Sequence, residues 1–595
     1  MALDQIQRNI STTDTYGMDV TATAGIQTPA QVTAQQVAAE HSLSSALNYV
    51  LFFCLFFAYY LTASATLEDY DSVNLAMAVL NYDLTLDAPH PPGAPIFVAC
   101  VKLINLLIAD IPLALTLVAA LGGALFVCVW HRLFQEFLSS KTATIGAIVL
   151  AFSPGLWMTA SRPMSDSLAA ATLSVAVLMA LQYAKSRQSS YLLYFAAVLA
   201  ITVGIRPQFG LLAPFLFFAT FVYFRPPVQT VLKALTIFTL TNLAWLIPTV
   251  VSQYNLDGAG WMTYFNQIAR FKESFDTASG SPLLANNIQF GEIVYRAATH
   301  IGTLGYFSLG LNMWYPESVG TLLSKLGTTL NPWPADKYEW TALGTLYTFA
   351  YSFGAMAFVP RIRYYWKKAR GLSQAVAYLL LVSIAYSIVV VMLVPPHTRF
   401  YIALLPCFIL LPLMGLQSRR WGHKFQYAFM VIAIAASLHT IIESVSLDAP
   451  PIALVKEIQK QTNEHGEGSV LLLNANAVRQ ASWYLKQADI YGGHEKVAPA
   501  AVDGVFKPGV RVFSNYPDAF PEELVQRTEL AHYHRPYRIW MRHTSTPLYE
   551  LSLRSVPIAT KNNPPAETVD ELLSEQAEPE VEQEQALTMA SADES

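Results

Sequence analysis

The chain has 595 residues, of which 53% are hydrophobic and only 13% charged, with a formal net charge of −5. Soluble domains carry roughly 25% charged residues, so half that fraction over such a length means apolar surface that water is not meant to see. The acidic balance leaves no basic footprint for nucleic acid, and the four cysteines (Cys54, Cys100, Cys128, Cys407) all sit in apolar runs, which excludes a disulfide framework for the polar C-terminal part.

Residues 1–43 are polar and lack the short basic region directly before an apolar run that marks a cleaved signal. They are expected to stay cytoplasmic, with the first apolar run kept as an anchor. A bilayer core of about 30 Å needs about 20 helical residues. Eleven stretches qualify: 44–64, 112–130, 142–160, 167–184, 190–205, 208–224, 234–252, 341–359, 372–394, 400–416 and 425–443. They contain no Asp, Glu, Lys or Arg apart from Glu443 at the end of the last. Alternate connections hold fourteen basic residues, among them Arg132, Lys141, Lys185, Arg187 and the run RIRYYWKKAR at 361–370. The opposite short connections hold one each, Arg162, Arg206 and Arg399. Short cytoplasmic loops are the basic ones, so the N-terminus is expected inside and the loops 65–111 and 253–340 outside. Residues 94–110 are apolar but include Lys102; counting them as a span would invert the pattern, so they read as a helix in the outer interface. Two extra short spans within 297–327 would preserve the parity.

Beyond Leu447 the composition changes. SVLLLN (469–474) and VRVFS (510–514) read as buried strands, VRQASWYLKQ (478–487) as a helix and YRIWMRH (537–543) as a further strand. This gives a small extracytoplasmic α/β domain over 448–560. From 561 on there are ten Asp or Glu and, past Lys561, no basic residue, the signature of a disordered tail. The fold class expected is an all-α polytopic membrane protein, with the transmembrane domain over 44–447, followed by the small α/β domain.

The outer loop from Glu68 to Pro95 carries five carboxylates (Glu68, Asp69, Asp71, Asp83, Asp87), His90 and no Lys or Arg. Val73, Ala76, Met77 and Leu80 fall on one face of a short helix, with Asp71 just before it in position to cap its start, a role worth about 1 kcal/mol. Asp69 and Asp71 on one helix point about 200° apart, so one of them faces a pocket. His90 lies in Pro89-His90-Pro91-Pro92-Gly93-Ala94-Pro95, where the following proline holds it extended; alone, that segment reads as a rigid connector. Arg162 with Asp166, Arg206, and His397 with Arg399 follow the third, fifth and ninth spans. Singly each arginine can snorkel to headgroups; together, facing an acidic loop, they can hold a phosphate. There is no phosphate-binding glycine motif and no zinc spacing.

The run Asp71-Ser72-Val73-Asn74-Leu75-Ala76, then Tyr82-Asp83, then His90-Pro91-Pro92-Gly93, resembles the first outer loop of polytopic GT-C glycosyltransferases, nearest the bacterial relatives of dolichyl-phosphate-mannose–protein mannosyltransferases. Ser161–Asp166, Arg206-Pro207-Gln208 and His397-Thr398-Arg399-Phe400-Tyr401 resemble their later outer loops, with Phe400 where the relatives have Tyr. The likeness runs over about residues 44–415. It implies an inverting transfer of a sugar from a polyprenyl-phosphate donor to a hydroxyl on a protein, lipid or glycan acceptor. Asp71 is then the general base, Asp69, His90 and Asp166 catalytic or positioning candidates, and Arg162, Arg206, His397 and Arg399 the donor-phosphate group. Many relatives carry a second acid where this chain has Asn74. That weakens a metal reading: no metal ligand is assigned, no cofactor is called for, and a divalent metal lacks support. Two rivals keep the topology without the chemistry: a transporter or flippase for a lipid-linked glycan, and a non-catalytic envelope assembly factor.

Overall fold

The structure is a computed structural model; it describes residues 46–64, 66–279, 342–358, 370–393, 398–417, 421–492, 506, 509–516, 525–534 and 545–553. The chain forms two units, 1–51 and 52–595; the site lies in the second, and the helix Ala46–Leu61 runs across the boundary between them. The two short spans considered within 297–327, His397, the strand expected at 537–543 and the acidic tail all fall outside the described residues.

Helices occupy all eleven apolar stretches. In chain order the helical frame consists of α1 Ala46–Leu61, α2 Tyr70–Leu80, α3 Pro95–Ile108, α4 Ile111–Gln135, α5 Ser140–Ala151, α6 Pro154–Ala160, α7 Asp166–Ser186, α8 Ser189–Ile205, α9 Ala213–Phe224, α10 Val228–Ser252, α11 Thr263–Ser279, α12 Ala342–Phe358, α13 Arg370–Leu393, α14 Leu405–Gln417 and α15 Gly422–Ser446. Among the described residues, four helical segments are long and apolar enough to cross a membrane: α4, α7, the 207–224 segment that ends in α9, and α10; the bent α5–α6 pair makes a fifth.

The expected single span over 142–160 is thus broken, with a bend of 62°. The cause is local. Pro154 opens α6 and has no N–H to continue the ladder, and it pushes Ser153 out of the helical region to φ −63, ψ 127. The other spans begin and end by ordinary rules. Asp110 caps α4 by accepting from Leu113 N at 3.0 Å, and 25 residues then run about 37 Å. Where α4 meets the start of α7, a Cβ on Gly122 would collide with the Leu168 backbone, so a small residue sets this close crossing. Helix α10 buries only 11% of its apolar window and leaves Leu232, Leu240 and Ile247 exposed, the surface a bilayer would cover.

After α15 come α16 Pro450–Gln461, β1 Ser469–Leu473, α17 Ala475–Tyr484, β2 Asp489–Gly492, β3 Arg511–Ser514, β4 Val525–His534 and β5 Ser545–Leu553. The sheet order is β2-β1-β3-β5-β4. Strand β1 pairs parallel to β2 and β3, while β5 is antiparallel to β3 and β4. Alternation puts Leu471 and Leu473 of β1 on one face, against Leu454 and Ile458 of α16 and Ala477 and Ala481 of α17, and Val470 and Leu472 on the other, with Val512 and Leu551. The helix expected at 478–487 sits at 475–484, and β2, β4 and β5 are additional to the strands expected. Helix α17 packs against α2, so the α/β domain rests on the acidic loop.

Candidate active site

Helix α2 sets the geometry. Its N-cap is Asp69, not Asp71: the Asp69 carboxylate accepts from Asp71 N at 2.8 Å, and Ser72 Oγ accepts from Asp69 N at 3.1 Å, a reciprocal capping box. Asp71 is thereby relieved of capping and sits in the first turn with its side chain turned outward from the helix. The apolar face also differs from the expected one. Val73 and Ala76 are buried as foreseen, but Leu80 is 67% exposed, and Leu75, Ala78 and Val79 fill the core instead.

The following loop is rigid by construction. Asp83 and Ala88 exchange backbone hydrogen bonds at 2.8 and 2.9 Å, and Asp83 caps the single turn Leu84–Leu86 by accepting from Thr85 N at 2.8 Å. Gln253, at the end of α10, accepts from Leu84 N at 2.8 Å and donates to Tyr82 O at 2.9 Å. Gly93 donates to His90 O at 2.7 Å. Its φ of +90° suits glycine, and a Cβ there would strike the Tyr82 hydroxyl.

These constraints bring three acidic–basic pairs together. Asp71 meets Arg399 through Oδ2 and His90 Nε2 through Oδ1 at 3.0 Å. His90 Nδ1 in turn faces Asp87 Oδ1 at 3.4 Å, and the ring lies against Tyr70 and Phe271, both with centroids 5.3 Å away. Arg162 Nε lies 2.6 Å from Glu68 Oε2, both buried. Arg206 pairs with Asp166, also buried, and reaches Ser165 Oγ at 3.4 Å. The Phe400 ring links Arg206 and Arg399, which lie 5.1 Å and 5.6 Å from its centroid. Asp71 keeps 21% of its side chain accessible and Arg399 16%, whereas Arg162 keeps 3% and Arg206 9%. Of the three carboxylate–arginine pairs, Asp71–Arg399 is therefore the one that stays within ready reach of a ligand.

The charges fix the protonation states. Burial alone would raise the Asp71 carboxyl, but the Arg399 charge and the His90 hydrogen bond outweigh it and hold Asp71 well below the usual carboxylate range. Burial would lower His90, but its hydrogen bonds and charge attraction to Asp71 and Asp87 raise it to about 9, so it is an imidazolium at neutral pH. Burial, then the Asp71 charge, push Asp69 up to about 6. Asn74 belongs to the same cluster: its Nδ2 lies 3.1 Å from His90 Nε2 while its Oδ1 is buried without a hydrogen-bond partner. Turning the amide over gives the imidazolium an acceptor in Asn74 Oδ1. Among the described residues, no three His, Cys, Asp or Glu side chains are grouped to hold a metal ion.

Of the residues singled out in the sequence, Asp71, His90 and Arg399 converge directly, Arg206 and Asp166 adjoin them, and Arg162 is bound into a separate pair. Asp69 acts as the cap. Glu68, Tyr70, Asp87 and Phe271 were not singled out for the site, although the spacing of Asp87 three before His90 was visible. Arg479 was not foreseen either. It comes from α17, stacks over Tyr70 at 5.3 Å and faces Asp87 at 3.7 Å.

Residues 79–232 match the family model for the protein O-mannosyl-transferase TMEM260 N-terminal domain, a range that includes His90, Arg162, Asp166 and Arg206. The archaeal oligosaccharyltransferase AglB from Archaeoglobus fulgidus, in complex with an inhibitory peptide and a dolichol-phosphate, is similar at 11% identity and a TM-score of 0.43, over 86% of this chain and 75% of its own. ArnT from Cupriavidus metallidurans bound to undecaprenyl phosphate is similar at 12% identity and a TM-score of 0.38, over 86% of this chain and 98% of its own. At these scores neither gives any residue a role. No curated protein matches the sequence.

Proposed function

We propose that this chain, which resembles the GT-C glycosyltransferases in its first outer loop and in its match to a protein O-mannosyl-transferase domain, is a membrane glycosyltransferase acting on a polyprenyl-phosphate-linked sugar at the extracytoplasmic face. Asp71 takes the proton of the acceptor hydroxyl, and the acceptor oxygen bonds to the anomeric carbon with inversion. The carbon–oxygen bond to phosphate breaks, and the electron pair leaves on the polyprenyl phosphate. The topology in this proposal is eleven crossings with the N-terminus inside. What supports it is the helix in each of the eleven apolar stretches and the fourteen basic residues on alternate connections.

The observation that carries the reading is the accessible Asp71–Arg399 pair. Held by Arg399 and His90, Asp71 is a weak base. A donor phosphate approaching Arg399 competes for the guanidinium, and a carboxylate losing that partner gains basicity. The same guanidinium then neutralises charge growing on the leaving phosphate. Donor arrival and base activation become one event. Arg206 supports Arg399 across Phe400, and the buried Glu68–Arg162 pair holds the frame.

The test is Asp71→Asn assayed for transfer from a lipid-linked sugar in a membrane preparation. Removal of a general base is expected to cost about 10²–10⁴-fold, with unchanged expression and membrane insertion. Activity retained within a fewfold of the parent would refute the role.

A further inference from the structure

The α/β domain does more than cap the molecule. Its helix α17 presents three side chains to the acidic loop. Tyr484 Oη accepts from Leu67 N at 2.8 Å and Gln480 Nε2 donates to Glu68 O at 3.3 Å; both simply dock the domain on backbone. Arg479 differs in kind. Its Nε donates to Tyr70 Oη at 3.2 Å, its guanidinium lies over the Tyr70 ring at 5.3 Å, and its Nη2 donates to Leu86 O at 3.2 Å and faces Asp87 Oδ2 at 3.7 Å. Tyr70 and Asp87 are two of the groups that orient His90: the first stacks on its ring with the planes 16° apart, the second faces its Nδ1. Asp87 has a φ of +55°, in the left-handed region that aspartate enters more readily than most non-glycine residues.

We propose that Arg479 is a positioning residue contributed by the α/β domain, which fixes the imidazole of His90 through Tyr70 and Asp87 and so holds Asp71 in register with Arg399. The active site is then composite: the membrane frame supplies Asp71 and Arg399, and the domain that follows it in sequence supplies the clamp. This rests on the glycosyltransfer reading for its kinetic consequence but not for its geometry. Arginine suits the position because one planar guanidinium stacks on a ring while its edge reaches a carboxylate and a carbonyl; lysine cannot do all three.

The experiment uses the full-length protein in nanodiscs. One readout is transfer kinetics from a polyprenyl-phosphate sugar; the other is the His90 imidazole resonance in histidine-labelled protein, assigned with His90→Gln. Arg479→Ala is expected to lower kcat by about tenfold through misplacement of the reacting groups, with KM for the donor unchanged, and to shift the His90 resonance. Gln480→Ala and Tyr484→Phe, which remove docking contacts only, are expected to leave both readouts close to the parent. In an Asp87→Asn background, Arg479→Ala is expected to cost less than it does alone, because one of its two routes to His90 is already cut. Arg479→Lys is expected to recover part of the rate. An unmoved His90 resonance in Arg479→Ala, equal losses in Tyr484→Phe, or full additivity with Asp87→Asn overturns the proposal. The resonance decides the clamp even where no lipid-linked sugar is turned over, whereas survival of transfer in Asp71→Asn sinks the chemistry and leaves the clamp standing.

Discussion

His90 is the residue on which the site's electrostatics turn. It lies between two carboxylates, Asp71 at 3.0 Å and Asp87 at 3.4 Å, and its raised pKa makes it a stabilising cation over most of the physiological range. The sign follows from linkage. A histidine raised from 6.5 to about 9 contributes its stabilisation in full below pH 6.5 and loses it as pH climbs through 9. The difference in thermal midpoint between the parent and His90→Gln should therefore be largest below pH 6.5 and close towards pH 9; a gap that does not vary with pH over that range contradicts the paired imidazolium. How far such a site can be read from sequence is clear residue by residue. Asp71, His90 and Arg399 were legible as candidates beside Arg162 and Arg206 because an acidic loop, a proline-locked histidine and arginines at outer span ends together resemble one family's loops; singly, His90 reads as a connector and each arginine as a snorkelling residue. The exchange of roles between Asp69 and Asp71 was not legible, because either aspartate can cap a helix and only Ser72, accepting from Asp69 N, decides which one does. The pairing of Glu68 with Arg162 and of Asp166 with Arg206 was beyond reach, since it depends on how separate helices cross.

At the level of elements, hydropathy located the helices and missed what happens inside them. The stretch 142–160 reads as one apolar span, yet Pro154 bends it by 62°, a local rule that a window average conceals. The sheet was half legible for a related reason. Strands β1 and β3 carry apolar stretches, whereas β4 and β5 pair antiparallel with buried residues such as Val525, Leu548 and Leu551 set among polar ones, and so blur into loop. The proline-rich turn carries a sharper constraint. Gly93 has φ +90° and the Tyr82 hydroxyl against the place where a Cβ would be. Gly93→Ala is expected to destabilise the loop by about 1–3 kcal/mol and to lower transfer activity while the helical frame persists. Thermal unfolding monitored beside activity checks this, and an alanine variant indistinguishable from the parent in both would mean that the turn is not strained as described.

Across the whole molecule, the contact between α17 and α2 links two parts of the chain that are about 400 residues apart, as Leu67 and Tyr484 are. No periodicity or composition could announce it, and it has a topological consequence independent of any count of spans. The acidic loop and the α/β domain must lie on the same side of the membrane, because Arg479, Gln480 and Tyr484 touch the loop directly. The connection containing Lys185 and Arg187 belongs to the basic set and so should lie on the opposite side. Cysteines placed singly at exposed Leu86, in the loop, and at exposed Ser482, on α17, should both react with a membrane-impermeant thiol reagent in intact cells. A cysteine at exposed Ser186 should react only after the membrane is permeabilised. Labelling of Leu86→Cys and Ser482→Cys from opposite sides would break the composite site outright. Labelling of all three from one side would instead leave the site intact and overturn the crossing pattern.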